Sequence, residues 1–151
     1  MHPVLKQYQG FATTLAELLR DSTAVQIRVK GYMPLSIEHI GPSPDGLPMI
    51  AISHTGEQNG DLMRDPEIVF ALHQGPDDVG PLADPIEFRN DYLGIHHEVY
   101  VYDDAGRRVG LRQRLKLDLV GFASTWFRNL KEQGFLDAAA TREELGSGAR
   151  D

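Results

Sequence analysis

The sequence predicts a single α+β domain in which a largely antiparallel sheet of about five to seven strands is flanked by an N-terminal and a C-terminal helix. Apolar residues near both ends of the chain recur at helical spacing, and the region between them holds short alternating or apolar runs separated by turn residues. A chain of 151 residues suffices for one core. We expect the domain to span residues 1–136 and residues 137–151 to form a poorly ordered tail.

The first third of the chain predicts one helix and two strands. Residues Ala24–Lys30 alternate apolar and polar side chains from Val25 onward, as a half-buried strand does, and Leu35–Ile40 resembles its partner. Residues Gly41–Gly46 form a turn cluster. Between Val4 and Arg20, the apolar stripe of a core-facing helix consists of Leu5, Tyr8, Phe11, Leu15, Leu18 and Leu19.

The next segment predicts a hairpin. Residues Met49–Ser53 form a short apolar strand, and Asn59-Gly60 suits a tight turn because both residues accept positive φ. Residues Asp65–Phe70 fit either a short helix or a strand, and we favour a strand, which would place Pro66 at an edge or a bulge.

The second half predicts a loop, a hairpin and a helix. Residues Gln74–Pro85 are rich in Gly, Pro and Asp and read as a loop. Gly106 would close a three-residue hairpin loop. The predicted facing pairs are Val101 with Val109, Val99 with Leu111, Tyr102 with Arg108, and Glu98 with Arg112.

The closing helix is predicted over about Asp118–Gln133. Gly134 and Phe135 resemble a left-handed cap with its apolar contact, and any helix over Thr141–Leu145 is expected to fray. The apolar stripe of the closing helix consists of Leu119, Phe122, Ala123, Trp126, Phe127 and Leu130.

Charge is unevenly distributed along the chain. The formal net charge is −7, but residues 31–106 carry −12 and Arg107–Lys116 carry +5. The acidic middle argues against a large DNA interface and is compatible with cations, basic partners or DNA mimicry. The chain has no cysteine, no apolar run of the roughly 20 residues that cross a bilayer, and no signal-peptide pattern in Met1–Lys6. These features predict a cytoplasmic protein that does not enter a membrane.

Three sets of residues are candidates for function. A polar set richer than turn formation requires would bind a partner: Gln58, Asp61, Arg64, Asn90, Asp91 and Glu98. A metal set would supply nitrogen and oxygen ligands to a hydrolase: His54, Glu57, Asp61, Asp65 and His96. A basic set could contact phosphate: Arg107, Arg112, Arg114 and Lys116.

Chemical considerations favour the first set. No helical His-Glu-x-x-His, nucleophile-elbow, phosphate-loop or dinucleotide-binding motif is present. Residues 31–106 contain no lysine to stabilise charge at phosphate, and only Arg64 and Arg89 could substitute. Cross-strand pairing of Arg108 with Tyr102 and of Arg112 with Glu98 also gives a structural account of most of the basic strand over Arg107–Lys116.

Two segments together resemble an uncharacterised domain carried by conjugative plasmids, integrative elements and phages. The resemblance rests on Gln58–Met63, Asp65–Glu67 with Phe70, Asn90–Gly94 and Glu98–Tyr100. His96-His97 departs from the aromatic and amide residues expected there. The resemblance implies an accessory protein of a mobile element and supplies no catalytic residues.

The sequence therefore favours a non-enzymatic accessory, regulatory or protein-binding module of a bacterial mobile genetic element, with another protein as its partner. Weak or no binding to nucleic acid is expected, and no cofactor. The first alternative is a metal-dependent hydrolase that uses the metal set and a divalent ion. The second is an acidic DNA mimic that inhibits a host defence protein.

Overall fold

A computed structural model describes residues 3–145. Helix α1 spans Pro3–Leu19 and helix α2 spans Gln113–Glu132. The strands are β1 (Ala24–Arg28), β2 (Leu35–Ile40), β3 (Met49–Gln58), β4 (Asp61–Gln74), β5 (Pro81–Asn90), β6 (Ile95–Glu98), β7 (Tyr100–Tyr102), β8 (Arg108–Leu111) and β9 (Thr141–Glu144).

Seven of these strands form one antiparallel sheet in the order β6-β5-β4-β3-β2-β1-β9, and β7 and β8 form a separate hairpin. Six neighbouring strands follow one another along the chain, because each turn is short enough to return directly to its neighbour. The predicted α+β class with two flanking helices is confirmed.

The helices pack against the sheet and against each other. The Phe11 ring of α1 lies 5.6 Å from the ring of Phe70 in β4 and 5.4 Å from that of Phe127 in α2. Gln7 Nε2 donates to Ser124 Oγ at 3.0 Å. The residues predicted to form the two apolar stripes are mostly buried, including Trp126, and burial of each large side chain contributes about 1.5–3 kcal/mol.

Local turn chemistry explains several confirmed boundaries. Asn59 and Gly60 have φ of 54° and 86°, as the tight turn between β3 and β4 requires. Residues Asp65–Phe70 belong to β4, and the register skips Asp65 and Pro66, so Pro66 lies in a bulge. After α2, the Phe135 N–H donates to the Leu130 carbonyl at 3.1 Å and forms the predicted cap.

Two predicted boundaries were wrong. The loop predicted over Gln74–Pro85 ends at Gly80, because Pro81 begins β5 and Pro85 lies at a register shift opposite Phe70, where its missing N–H costs little. Helix α2 begins at Gln113 rather than Asp118.

The register of the β7–β8 hairpin differs from the prediction. Gly106 occupies the left-handed position, with φ of 81°, and Tyr102 faces Arg108 as expected. A register shift then places Val101 opposite Gly110 rather than Val109, and Tyr100 rather than Val99 opposite Leu111. The Val99 N–H is not available to the hairpin because it donates to the Ile86 carbonyl of β5.

The segment that follows α2 returns to the sheet. Thr141–Glu144, predicted as part of a fraying helix, instead pairs antiparallel with β1 as strand β9. The Arg142 guanidinium donates to the carbonyl of Leu18 at 2.7 Å and ties β9 to the end of α1. Gly146–Asp151 of the predicted tail lie outside the described residues.

Candidate functional site

The two segments that carry the polar set meet where β4 passes the turn between β5 and β6. The Asp91 N–H donates to the Arg64 carbonyl at 2.8 Å, and the Arg64 N–H donates to the Asp91 carboxylate at 2.8 Å. Asn90 Nδ2 donates to Asp65 Oδ1 at 2.7 Å, and Asn90 Oδ1 accepts the Leu93 N–H at 3.2 Å. These bonds fix the turn to the beginning of β4.

Charges within this network are paired. The Arg64 guanidinium lies 3.2 Å from a Glu67 carboxylate oxygen and 3.5 Å from Asp91, and Arg89 Nε donates to Asp91 at 2.9 Å. Although burial opposes it, the bonds from Arg64 and Arg89 lower the pKa of Asp91. Burial raises the pKa of Glu67, although the same two arginines act to lower it. The network is therefore largely self-neutralised and acts to position the backbone.

Three residues of the polar set lie outside this network. Gln58 and Asp61 face each other beside the Asn59-Gly60 turn. Glu98 lies on β6 opposite Glu87 of β5. The structure therefore brings Arg64, Asn90 and Asp91 together and places the other three residues of the polar set elsewhere.

The metal set is not assembled within residues 3–145. His54 Nδ1 donates to the Met33 carbonyl at 3.1 Å, and the ring packs 5.6 Å from Trp126 and 5.5 Å from Phe135. Burial lowers the pKa of His54 and favours the neutral ring. Glu57 and Asp61 are exposed near the hairpin turn, and Asp65 accepts from Asn90. His96 instead pairs with Glu87.

Most of the basic set is occupied by the protein itself. Arg107 pairs with Asp103 at 2.9 Å, and Arg112 Nη1 donates to the Glu98 carbonyl at 2.8 Å. Lys116 lies 3.5 Å from the buried carboxylate of Asp84. Arg114 is exposed in the first turn of α2. The structure thus contains no continuous basic strand over Arg107–Lys116.

Asp84, Tyr100 and Lys116 form a buried polar cluster that the sequence did not predict. The Tyr100 hydroxyl donates to Asp84 at 2.5 Å, Lys116 contacts both residues, and the Lys116 ammonium lies 5.2 Å from the Tyr8 ring centroid. Asp84 is only 3% exposed. Burial, reinforced by the Asp84 carboxylate, raises the pKa of the Tyr100 hydroxyl and keeps it protonated. The cluster joins α1, α2, β5 and β7 at the cost of burying a carboxylate.

The β3–β4 hairpin carries a surface that the polar set does not include. Between Gly56 and Met63 the two strands continue beyond the pairing of their neighbours β2 and β5, and we call this part the arm. A Cβ on Gly56 would lie 2.5 Å from the Tyr92 hydroxyl and 3.0 Å from Met33 Cε. Met63 is the cross-strand partner of Gly56 and shares its face.

Large apolar side chains around the arm are exposed. Tyr92 is 42% exposed and its neighbour Leu93 is 70% exposed; Tyr32, next to Met33 in the chain, is 48% exposed, and its ring lies 6.1 Å from that of Phe135. We define the arm surface as Tyr32, Met33, Gly56, Met63, Tyr92 and Leu93. Tyrosine and methionine are enriched at protein interfaces, whereas they add nothing to stability when left in water.

These features define a small α+β domain with a braced hairpin arm. None of its helices in the described part of the chain is both long and apolar enough to cross a membrane. The chain belongs to the family described as "Domain of unknown function (DUF6908)", whose model matches residues 4–136. Comparison with curated proteins and with solved structures gave no match.

Proposed function

We propose that this protein is a non-enzymatic protein-binding module that uses the arm surface to hold its partner. One observation carries the proposal: the arginines and acids of the network pair with one another and fix the arm, while the aromatic and aliphatic groups beside it face solvent. Holding exposed aromatic residues in a preorganised arrangement reduces the entropy lost on binding.

The side chains of the arm also indicate which groups a partner surface would present. Exposed Asp61 lies at the hairpin end on the same face as Met63, and exposed Glu57 lies close by on the opposite face. A complementary protein surface would present apolar side chains for Tyr92 and Leu93 and lysine or arginine for the acids. Nucleic acid fits this surface poorly, since the acids would repel phosphate.

The proposed setting is a mobile genetic element in the bacterial cytoplasm. Its support is the resemblance of Gln58–Met63 and Asn90–Gly94 to a plasmid and phage domain. In this chain the first segment lies in the arm, and the second contains the turn that is bonded to the beginning of β4.

Comparative affinity purification tests the proposal. Wild-type protein, the Tyr92→Ala/Leu93→Ser variant and the control Leu117→Ser, whose side chain is exposed on α2, would each be used as bait in cell extract of the native host. Proteins retained by the wild type and the control but lost by the arm variant would then be purified and titrated. A hot-spot loss of about 2 kcal/mol corresponds to roughly 30-fold weaker binding.

The titration has clear contrary outcomes. A purified partner that binds the arm variant as tightly as the wild type would place the interface elsewhere. Charge reversal by Glu57→Lys and Asp61→Lys should slow association at low salt if the partner is basic. Faster association would show an acidic partner instead.

A further inference from the structure

A histidine and two glutamates converge on the edge strand of the sheet, just after the turn that carries Tyr92 and Leu93. His96 and Glu98 alternate with His97 along β6 and therefore point to the same face, and Glu87 of β5 is the direct cross-strand partner of Glu98. One ligand atom from each of the three side chains lies within 4.8 Å of the others. His96 Nε2 and Glu87 Oε1 are 2.5 Å apart.

Like charges opposite each other make this arrangement unfavourable without a counter-charge. Glu87 and Glu98 are directly paired carboxylates, which destabilise a sheet. Glu67 on β4 is a further acid nearby, but it pairs with Arg64 at 3.2 Å.

The nearest arginines have other partners. Arg89, opposite His96, binds Asp91, and Arg112 donates to the Glu98 backbone carbonyl rather than to its carboxylate. Arg89 and Arg112 thus lie beside the two glutamates but direct their hydrogen bonds to other groups, whereas His96 contacts Glu87 directly.

We propose that Glu87, His96 and Glu98 bind a divalent cation of the Zn²⁺ or Mn²⁺ type. One imidazole nitrogen and two carboxylate oxygens are ligands that these ions accept, and water would complete the coordination. Ligand atoms about 2.0–2.2 Å from a tetrahedral ion lie roughly 3.4 Å from one another. The three ligand atoms, all within 4.8 Å of one another, would have to adjust to this spacing on binding. The imidazole favours Zn²⁺ or Mn²⁺ over Ca²⁺ and Mg²⁺, which prefer oxygen.

Binding would exchange one interaction for another at His96. The Nε2 lone pair must face the ion, so the proton of the neutral ring must reside on Nδ1, and the present contact with Glu87 is replaced by shared coordination. The ion would then fasten the four-residue edge strand β6 to β5. This role is structural.

Calorimetric titration of tag-free, chelator-treated full-length protein with ZnCl₂ and with MnCl₂ tests the site. We expect one equivalent of at least one ion to bind. Replacing even an outer-shell group in metal sites weakens binding 10–100-fold, so His96→Asn and Glu98→Gln should each weaken it about tenfold or more. Melting curves without metal would verify that the variants fold.

Two matched variants serve as controls. His97→Asn changes the adjacent histidine, which faces Phe88 and Phe122 on the other side of β6, and Asp61→Asn changes an acid at the arm. Both should bind like the wild type. Unchanged affinity in His96→Asn, equal losses in His97→Asn, or no saturable binding of either ion would overturn the proposal.

Discussion

Asp91 and Arg64 lie 27 positions apart in the sequence and are joined by two hydrogen bonds, each donated by a backbone N–H. The Asp91 N–H donates to the Arg64 carbonyl, and the Arg64 N–H donates to the Asp91 carboxylate, each at 2.8 Å. Regular pairing of β4 with β5 runs only from Glu67 to Gln74. These two bonds therefore extend the support of β4 beyond the ladder and hold the arm in position.

Replacing Asp91 by Ala tests this support. Hydrogen bonds to charged groups contribute about 1.5–3 kcal/mol, so we expect Asp91→Ala to lower the free energy of unfolding by about that amount and to speed hydrogen exchange at the Arg64 amide. Urea denaturation and exchange measured by NMR would detect both effects. Glu57→Ala, at an exposed site on the arm, should change stability by less than about 0.5 kcal/mol. Unaltered exchange at Arg64 would mean that Asp91 does not brace the arm.

Gly60 tests the turn at the end of the arm. Its φ is 86°, and a Cβ would meet no atom within 4 Å. A substitution should therefore be disfavoured by backbone strain and not by a steric clash. Gly60→Val should destabilise the protein by about 1 kcal/mol or more, since a β-branched residue resists positive φ. Gly121→Ala, in open space on α2, should stabilise by up to about 1 kcal/mol. Chemical denaturation measures both, and an unchanged midpoint for Gly60→Val would contradict the turn.

Local signals predicted what depends on local chemistry. Asn59-Gly60 and Gly134-Phe135 specify backbone conformations by themselves, and an apolar stripe specifies a buried helix face, so these features were recognised. β9 was not, because Thr141–Glu144 has no apolar alternation and its pairing depends on the distant edge of β1. The first part of β5 was predicted as loop because Pro81 and Pro85 are typical of loops. Only their positions in the ladder show that a strand can accommodate them.

The same distinction applies to the candidate site. Asn90 and Asp91 were predicted to matter beside Arg64, and the structure brings them together. The Asp84–Lys116 pair was missed because Asp84 lies in a segment rich in Gly and Pro, and Lys116 resembled part of a basic strand. The early start of α2 turns Lys116 towards the interior. Sequence spacing gives no sign of such a pairing between distant elements.

His54 should make the stability depend on pH. Its folded-state pKa lies below 6.5 because of burial, so the unfolded chain takes up the proton more readily. The contribution is fully present above about pH 6.5 and is lost as the pH falls towards the folded-state pKa. His54→Phe keeps the aromatic contacts and should reduce the loss of stability between pH 7.5 and 5.5. Urea titrations at both pH values would compare the wild type, His54→Phe and the control His39→Gln, which changes an exposed histidine. If His54 were not responsible, His54→Phe would show the same pH dependence as the wild type.

The buried pair of Asp84 and Lys116 should show strong energetic coupling. Removing one member of a buried pair leaves an uncompensated charge and costs about 3–5 kcal/mol, whereas an apolar replacement of both members is often neutral. Lys116→Met should therefore destabilise more than Asp84→Leu/Lys116→Met. The Tyr100 hydroxyl still faces position 84 in the double variant, and Tyr100→Phe added to it would remove that polar group. Additive losses in a denaturation double-mutant cycle would contradict the coupling.

Duplex DNA should bind this protein weakly at physiological salt. Three of the four candidate phosphate ligands contact the protein's own acids or carbonyl groups, and the acidic middle of the chain repels phosphate. Dissociation constants should fall in the non-specific range of about 10⁻⁴–10⁻⁶ M or weaker. Gel-shift titrations at several salt concentrations would measure this, with Arg107→Ser/Arg112→Ser/Arg114→Ser as the variant that leaves the buried Lys116 intact. Nanomolar binding by the wild type, with a steep salt dependence that the variant flattens, would identify the arginines as a phosphate-binding surface and displace the arm as the main interface.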